Sequence, residues 1–114
     1  TTTAQRNGAT ASVTQPEGVL NLPPAIEQGV YRIAQEAITN AALHAGATQI
    51  AVTLSNTDGV ALTVADNGRG FDLNNVNGDH MGLQLMRERA EMMGGILDVS
   101  SALGVGTTVR LVLP

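Results

Sequence analysis

The chain has 114 residues, 43% hydrophobic and 14% charged, with a net charge of −4, which fits one globular domain and not a disordered chain. All six basic residues are Arg, which excludes a lysine-dependent phosphate loop and Schiff-base chemistry, and the negative balance speaks against a nucleic-acid surface. Without Cys there can be no disulfide, thiol nucleophile or Cys-based zinc site, and no apolar run approaches the ~20 residues that cross a bilayer.

Residues 1–18 are rich in Thr, Gln and Gly and allow one strand at 9–14, a sheet edge or boundary stub. Pro23-Pro24 suits the first turn of a helix, where the missing N–H costs nothing. Over 26–45, Ile26, Val30, Ile33, Ala34, Ala37, Ile38, Ala41 and Ala45 keep helical spacing, and Gly46 supplies a left-handed cap. Ile50, Val52 and Leu54 alternate, as do Val60, Leu62 and Val64 after the turn-forming Asn56-Thr57-Asp58-Gly59, which predicts an antiparallel hairpin. Residues 67–80 are rich in Gly, Asn and Asp and are expected to form a mobile loop. A second helix is expected at 82–93, stopped by Gly94-Gly95, and then a strand pair at 96–101 and 107–113. This order predicts the α/β class as an α+β two-layer sandwich: a mixed, mostly antiparallel sheet with its helices on one face. With Tyr31 and Phe71 the only aromatics, its core must rest on Ile, Leu, Val, Met and Ala.

Three places could carry chemistry. Glu36, Asn40 and His44 fall at i, i+4 and i+8, a polar seam beside the apolar stripe that could meet a bound ion and its water. On spacing alone, an ordinary amphipathic boundary is the simpler account. Asp66 continues the inward-facing set Val60, Leu62 and Val64, so it ends a core strand with a carboxylate that needs a donor. Its own Asp-Asn-Gly turn could supply one, and so could a ligand such as the exocyclic amine of adenine. Gly68, Gly70, Gly78 and Gly82 bracket the loop, and Gly82 opens a helix whose free N–H groups suit phosphate. Glycines in a loop are more often plain turns.

Together these segments resemble the nucleotide-binding (GHKL, Bergerat) fold shared by histidine kinases, type II topoisomerases, Hsp90 and MutL, over residues 22–114. YRIAQEAITNAALHAGAT at 31–48 is similar to the N box, DNGRGF at 66–71 to the first glycine box, HMGLQLMRERAEMMGG at 80–95 to the second, and GVGTTVRLVLP at 104–114 to the final strand pair. Within that fold, Glu-Ala-x-x-Asn-Ala at 36–41, the short stretch at 72–81 and MRERA at 86–90 are most similar to sensor histidine kinases of the nitrate-sensor and desaturase-thermosensor group.

The resemblance implies the cofactors ATP and Mg²⁺, with Asn40 ligating the metal, Glu36 behind the metal-bound water and His44 near the phosphates. Glu36 and His44 are the catalytic candidates. Asp66 would accept from adenine N6, with Gly68, Gly70 and Thr107 about the base, Thr107 through a bridging water. Backbone N–H groups at Gly82 and Leu83 would hold the phosphates, and 72–81 would be an ATP lid within a single 1–114 domain. The implied reaction passes the γ-phosphoryl group to a His on the separate dimerisation domain of a parent kinase, with a response regulator downstream. The expected fragment is monomeric and cytoplasmic, binds no nucleic acid, and comes from a parent that can be anchored in the inner membrane. Leu43 stands where many relatives carry Lys or Arg, so one phosphate-facing cation is missing. The anti-sigma-factor serine kinases, which share the fold and often lack that residue, are one alternative; a non-catalytic binding module is the other.

Overall fold

The computed structural model describes residues 10–14, 22–55, 59–70 and 81–113. Alternating apolar residues form five strands: β1 (Thr10–Thr14), β2 (Gln49–Ser55), β3 (Val60–Asp66), β4 (Ile96–Ala102) and β5 (Gly106–Leu113). They make one sheet in the order β1-β2-β3-β5-β4, in which β1 pairs parallel with β2 and every other pair is antiparallel. The register stacks like residues across the sheet. Val52 faces Val64, Val109 and Val99 in turn, and Leu54 faces Leu62, Leu111 and Leu97. These rows lie under the helices; on the other face Ala51, Thr53, Ser100 and Arg110 are exposed. One covered face and one wet face explain the alternation legible in the sequence.

Helix α1 (Pro24–Thr39) begins at Pro23-Pro24, with Glu27 in its first turn, where a negative charge complements the helix dipole. Its stripe of Val30, Ile33, Ala37 and Ile38 is buried against the sheet. Helix α2 (Met81–Met92) adds Met86 and Ala90 to the same core. Among the described residues the core holds no aromatic side chain, and Tyr31 is exposed.

Two boundaries differ from expectation. The helix expected over 26–45 is α-helical only to Thr39, and Asn40–His44 form a wider π-helical turn. There the Ala45 N–H donates to the Asn40 carbonyl at 3.0 Å, and the Ala47 N–H to the Ala41 carbonyl at 3.0 Å, so the ladder skips from four residues to five and then six. The widened end delivers Ala41, Ala42 and Ala47 to the core, after which Gly46 takes the expected left-handed cap at φ 64°. Met81, expected as the last residue of the lid, is the first residue of α2; residues 71–80, and with them Phe71, His80 and the rest of the expected lid, lie outside the described residues.

Candidate functional site

The covered face of the sheet changes character at one end. Beyond the valine row, the next inward row reads Ile50, Asp66, Thr107 and Ser101 across β2, β3, β5 and β4. Three polar side chains thus continue a hydrophobic floor. Asp66 is half-buried, not enclosed as strand position alone suggested, and no polar side chain among the described residues is fully buried. The β3 strand ends here, so one side of the carboxylate opens to solvent. The Gly68 N–H donates to Asp66 Oδ1 at 2.8 Å, an Asx-type bond that orients the carboxylate. One oxygen is held by the turn and the other can accept from a ligand, so the two roles open in the sequence are compatible.

The loop after Asp66 is sewn to its neighbours by backbone. The Arg69 N–H donates to the Ala45 carbonyl at 2.9 Å, the Gly104 N–H to the Arg69 carbonyl at 2.7 Å, and the Asn67 N–H to the Gln49 carbonyl at 3.2 Å. The glycines answer to this sewing. A Cβ on Gly70 would overlap the Ala102 carbonyl, and one on Gly106 the Asp66 carbonyl, and both have positive φ, at 65° and 138°. Glycine here lets backbone approach backbone, which fixes where the carboxylate sits.

Asn67 and Ser101 escaped the sequence analysis. Asn67 Oδ1 accepts from the N–H groups of Thr48 (3.0 Å) and Gln49 (2.9 Å), and its Nδ2 donates to Thr48 Oγ1 at 3.0 Å. Ser101 Oγ lies 2.9 Å from Thr107 Oγ1 and donates to the Gly106 carbonyl at 3.2 Å. Asn67 carried a signal, as the middle of an Asp-Asn-Gly turn, but Ser101 could be found only through the strand register.

The remaining candidates are less tightly grouped. Asn40 is half-buried at the start of the π turn, whose exit carbonyl at Ala45 receives the Arg69 bond. An amide oxygen there fits a metal that takes few protein ligands, and among the described residues no cluster of three His, Asp or Glu offers another cation site. Glu36 is exposed and lines a groove of about 510 Å³ between α1 and α2, together with Arg32, Leu85, Met86 and Arg89; Asp66 and Thr107 are not among the groove's lining residues. Gly82 and Leu83 lie in the first turn of α2, where N–H groups are free, and Leu83 packs on the core. The side chains of Leu43 and His44 lie outside the described residues.

The family model for the histidine kinase-, DNA gyrase B- and HSP90-like ATPases matches residues 25–114. The chain belongs to this ATPase family. Its similar relatives include the sensor histidine kinase LiaS of Bacillus subtilis, 37% identical over 90 residues, and the histidine-protein kinase/phosphatase DegS of the same organism, 36% identical over 97. These matches cover 78% and 82% of this chain but 25% of either relative, so the chain spans about a quarter of their length. The fold matches the histidine kinase domain of a blue-light activated kinase from Erythrobacter litoralis, with a TM-score of 0.80, 22% identity and coverage of 99% of this chain and 56% of that one. It also matches full-length ShkA in complex with AMPPNP, with a TM-score of 0.78, 23% identity and coverage of 99% and 27%. The polar row and glycine loop thus belong to an ATPase domain of the type found in sensor histidine kinases.

Proposed function

We propose that this chain is the ATP-binding catalytic domain of a two-component sensor histidine kinase, and that it presents the γ-phosphoryl group of ATP to a His on the dimerisation domain of its parent, for onward passage to a response regulator. The observation that carries this is the Asp66–Thr107 pair at the open end of a hydrophobic floor, with Asp66 aimed by the Gly68 N–H. An acceptor at the end of an apolar row suits a flat base with an exocyclic amine, because the base can bury its faces while the amine finds its partner. The relatives named as sensor kinases, and a fold neighbour named as an AMPPNP complex, support adenine nucleotide as the ligand.

Asn40 would hold Mg²⁺ together with phosphate oxygens and water, and the bound ion would neutralise charge on the phosphates. N–H groups at Gly82 and Leu83 would add donors to the same phosphates. Glu36, exposed in the α1–α2 groove, would act only at the rim, and His44 beside the phosphates. Residues 72–81 would fold over the nucleotide as a lid, a role that rests on their composition. A domain using ATP works on the cytoplasmic side, alone as a monomer, and beneath the membrane where its parent is anchored there. Calorimetric titration with ADP and a non-hydrolysable ATP analogue, with and without Mg²⁺, tests the proposal. It expects binding of both, with Mg²⁺ strengthening the triphosphate more; absence of binding to either nucleotide would overturn it.

A further inference from the structure

The bond that aims Asp66 closes a small ring, and the main chain of Asn67 lies inside it. The ring runs from Asp66 Oδ1 through the backbone to the Gly68 N–H, which belongs to the Asn67–Gly68 peptide. The direction of that N–H follows from the backbone dihedrals of Asn67, since the peptide unit itself is planar. Asn67 is exposed, yet both ends of its side-chain amide are anchored. Its Oδ1 accepts from the Thr48 N–H (3.0 Å) and the Gln49 N–H (2.9 Å), and its Nδ2 donates to Thr48 Oγ1 (3.0 Å). The Asn67 N–H adds a bond to the Gln49 carbonyl at 3.2 Å. All of these run to Thr48 and Gln49, at the start of β2 and just before Ile50, the partner of Asp66 in register. From the other side β5 closes in, where a Cβ on Gly106 would lie 3.2 Å from Asn67 Cα. Asn67 is held between the start of β2 and the bare backbone of β5.

We propose that Asn67 is a positioning residue for nucleotide recognition: its amide, clamped to the start of β2, holds the Gly68 N–H in the direction that aims the Asp66 carboxylate at the base. The inference rests on Asp66 receiving the base amine, as proposed above. Asn67 needs no contact with the nucleotide for this role. A carboxylate is rigid, so fixing Asp66 Oδ1 on the Gly68 N–H also fixes where its other oxygen points. Without the amide, Asn67 keeps only its main-chain bond to β2, and its dihedrals gain freedom. The Gly68 N–H then loses its fixed direction, and the carboxylate must be ordered when the nucleotide binds, which weakens affinity. A side chain that only stitched the loop to β2 would support the fold and leave base recognition untouched. The ring through Asn67 is what links the stitch to the carboxylate.

The test is a double-mutant cycle: the Kd for ADP, by calorimetry, of the native chain, Asn67→Ala, Asp66→Asn and the double variant, with thermal unfolding of each. In the native background Asn67→Ala should raise Kd about threefold to tenfold, the worth of one net hydrogen bond. In Asp66→Asn the amide can keep its oxygen on the Gly68 N–H and turn its N–H₂ toward the amine, so no base bond remains to be aimed. There Asn67→Ala should change Kd by less than about twofold, the scatter expected of uncoupled sites. Equal rises in both backgrounds would overturn this inference and leave the adenine assignment standing. So would an Asn67→Ala domain that loses thermal stability and keeps the native Kd. A native chain that does not bind ADP, or Asp66→Asn that binds it as the native chain does, would overturn the adenine assignment and this inference with it. Should Asn67→Ala fail to fold, Asn67→Ser carries the same expectation, since a single hydroxyl suits a turn but cannot take the place of both amide atoms.

Discussion

Gly68 allows a sharp separation of site geometry from fold stability. Its backbone is not in the left-handed region, so alanine there brings no dihedral strain. A Cβ would nonetheless lie 2.6 Å from Ala45 Cβ, 2.8 Å from the Ala45 carbonyl oxygen and 2.9 Å from Asp66 Oδ1. All three are too close, and none belongs to a long side chain that can swing away. The loop must back off from the π turn, at about 1–3 kcal/mol for an overpacked contact. The motion falls on the Gly68 N–H bond to Asp66, so the carboxylate loses its aim. Disturbing a hydrogen bond to a charged group costs about 1.5–3 kcal/mol, which in a base contact is roughly a tenfold to hundredfold rise in Kd. Calorimetry with ADP gives the Kd, and thermal unfolding gives the stability. Leu97→Ala is the control: it truncates a buried strand residue two rows from Ser101, costs about 2–5 kcal/mol, and should leave Kd within about twofold. A Gly68→Ala domain that binds ADP as the native chain does would refute the role given to this contact, as would a Leu97→Ala domain that loses as much affinity.

Asp66→Asn replaces an acceptor pair by an amide and should weaken ATP by about tenfold or more with the fold intact, measured as Kd for ATP against GTP. Asn40→Ala should abolish the Mg²⁺-dependent part of triphosphate binding and spare ADP without metal; equal losses with and without Mg²⁺ would mark Asn40 as structural. Asn67→Ala removes three side-chain hydrogen bonds from an exposed position where water replaces them in part, so thermal unfolding should report a loss of about 1–2 kcal/mol. Asn67→Asp keeps the acceptor for both N–H groups and should cost less than Asn67→Ala.

Periodicity made the first helix and the β2–β3 hairpin legible because each buries one face against the same core, and burial is what writes alternation or a 3.6-residue stripe into a sequence; β1, with Ser12, Val13 and Thr14 exposed, carries no such stripe. The π turn left no such mark. Moving a hydrogen bond from the fourth residue to the fifth over Asn40–His44 keeps Ala41 and Ala42 inside, so the apolar pattern runs on as if the helix were regular. Asp66 was legible as an anomaly, a charge where the strand's inward phase called for an apolar residue. Ser101 was not, since a serine opposite a threonine is unremarkable until register pairs them. How far Asp66 is buried depends on β3 ending at the loop, which periodicity does not measure.

The backbone bonds explain how a half-buried carboxylate can be held accurately without a buried ion pair. Three segments distant in sequence, at 45–49, 66–70 and 102–107, meet at the first glycine loop, and each junction is a main-chain hydrogen bond or a glycine contact that admits no Cβ. Main-chain groups cannot change rotamer, so the aim of Asp66 is set by the sheet on one side and by the exit of the π turn on the other. The Arg69 N–H bond to the Ala45 carbonyl ties the segment that carries Asn40 to the segment that carries Asp66. Under the proposed function, base recognition by Asp66 and metal binding by Asn40 would share this frame, so that a shift of the π turn would also move the base acceptor. The Ala45 carbonyl stands at the cap of the π turn, where a helix end leaves its last carbonyls without partners inside the helix, and it is this free acceptor that receives the Arg69 bond and joins the helix end to the glycine loop.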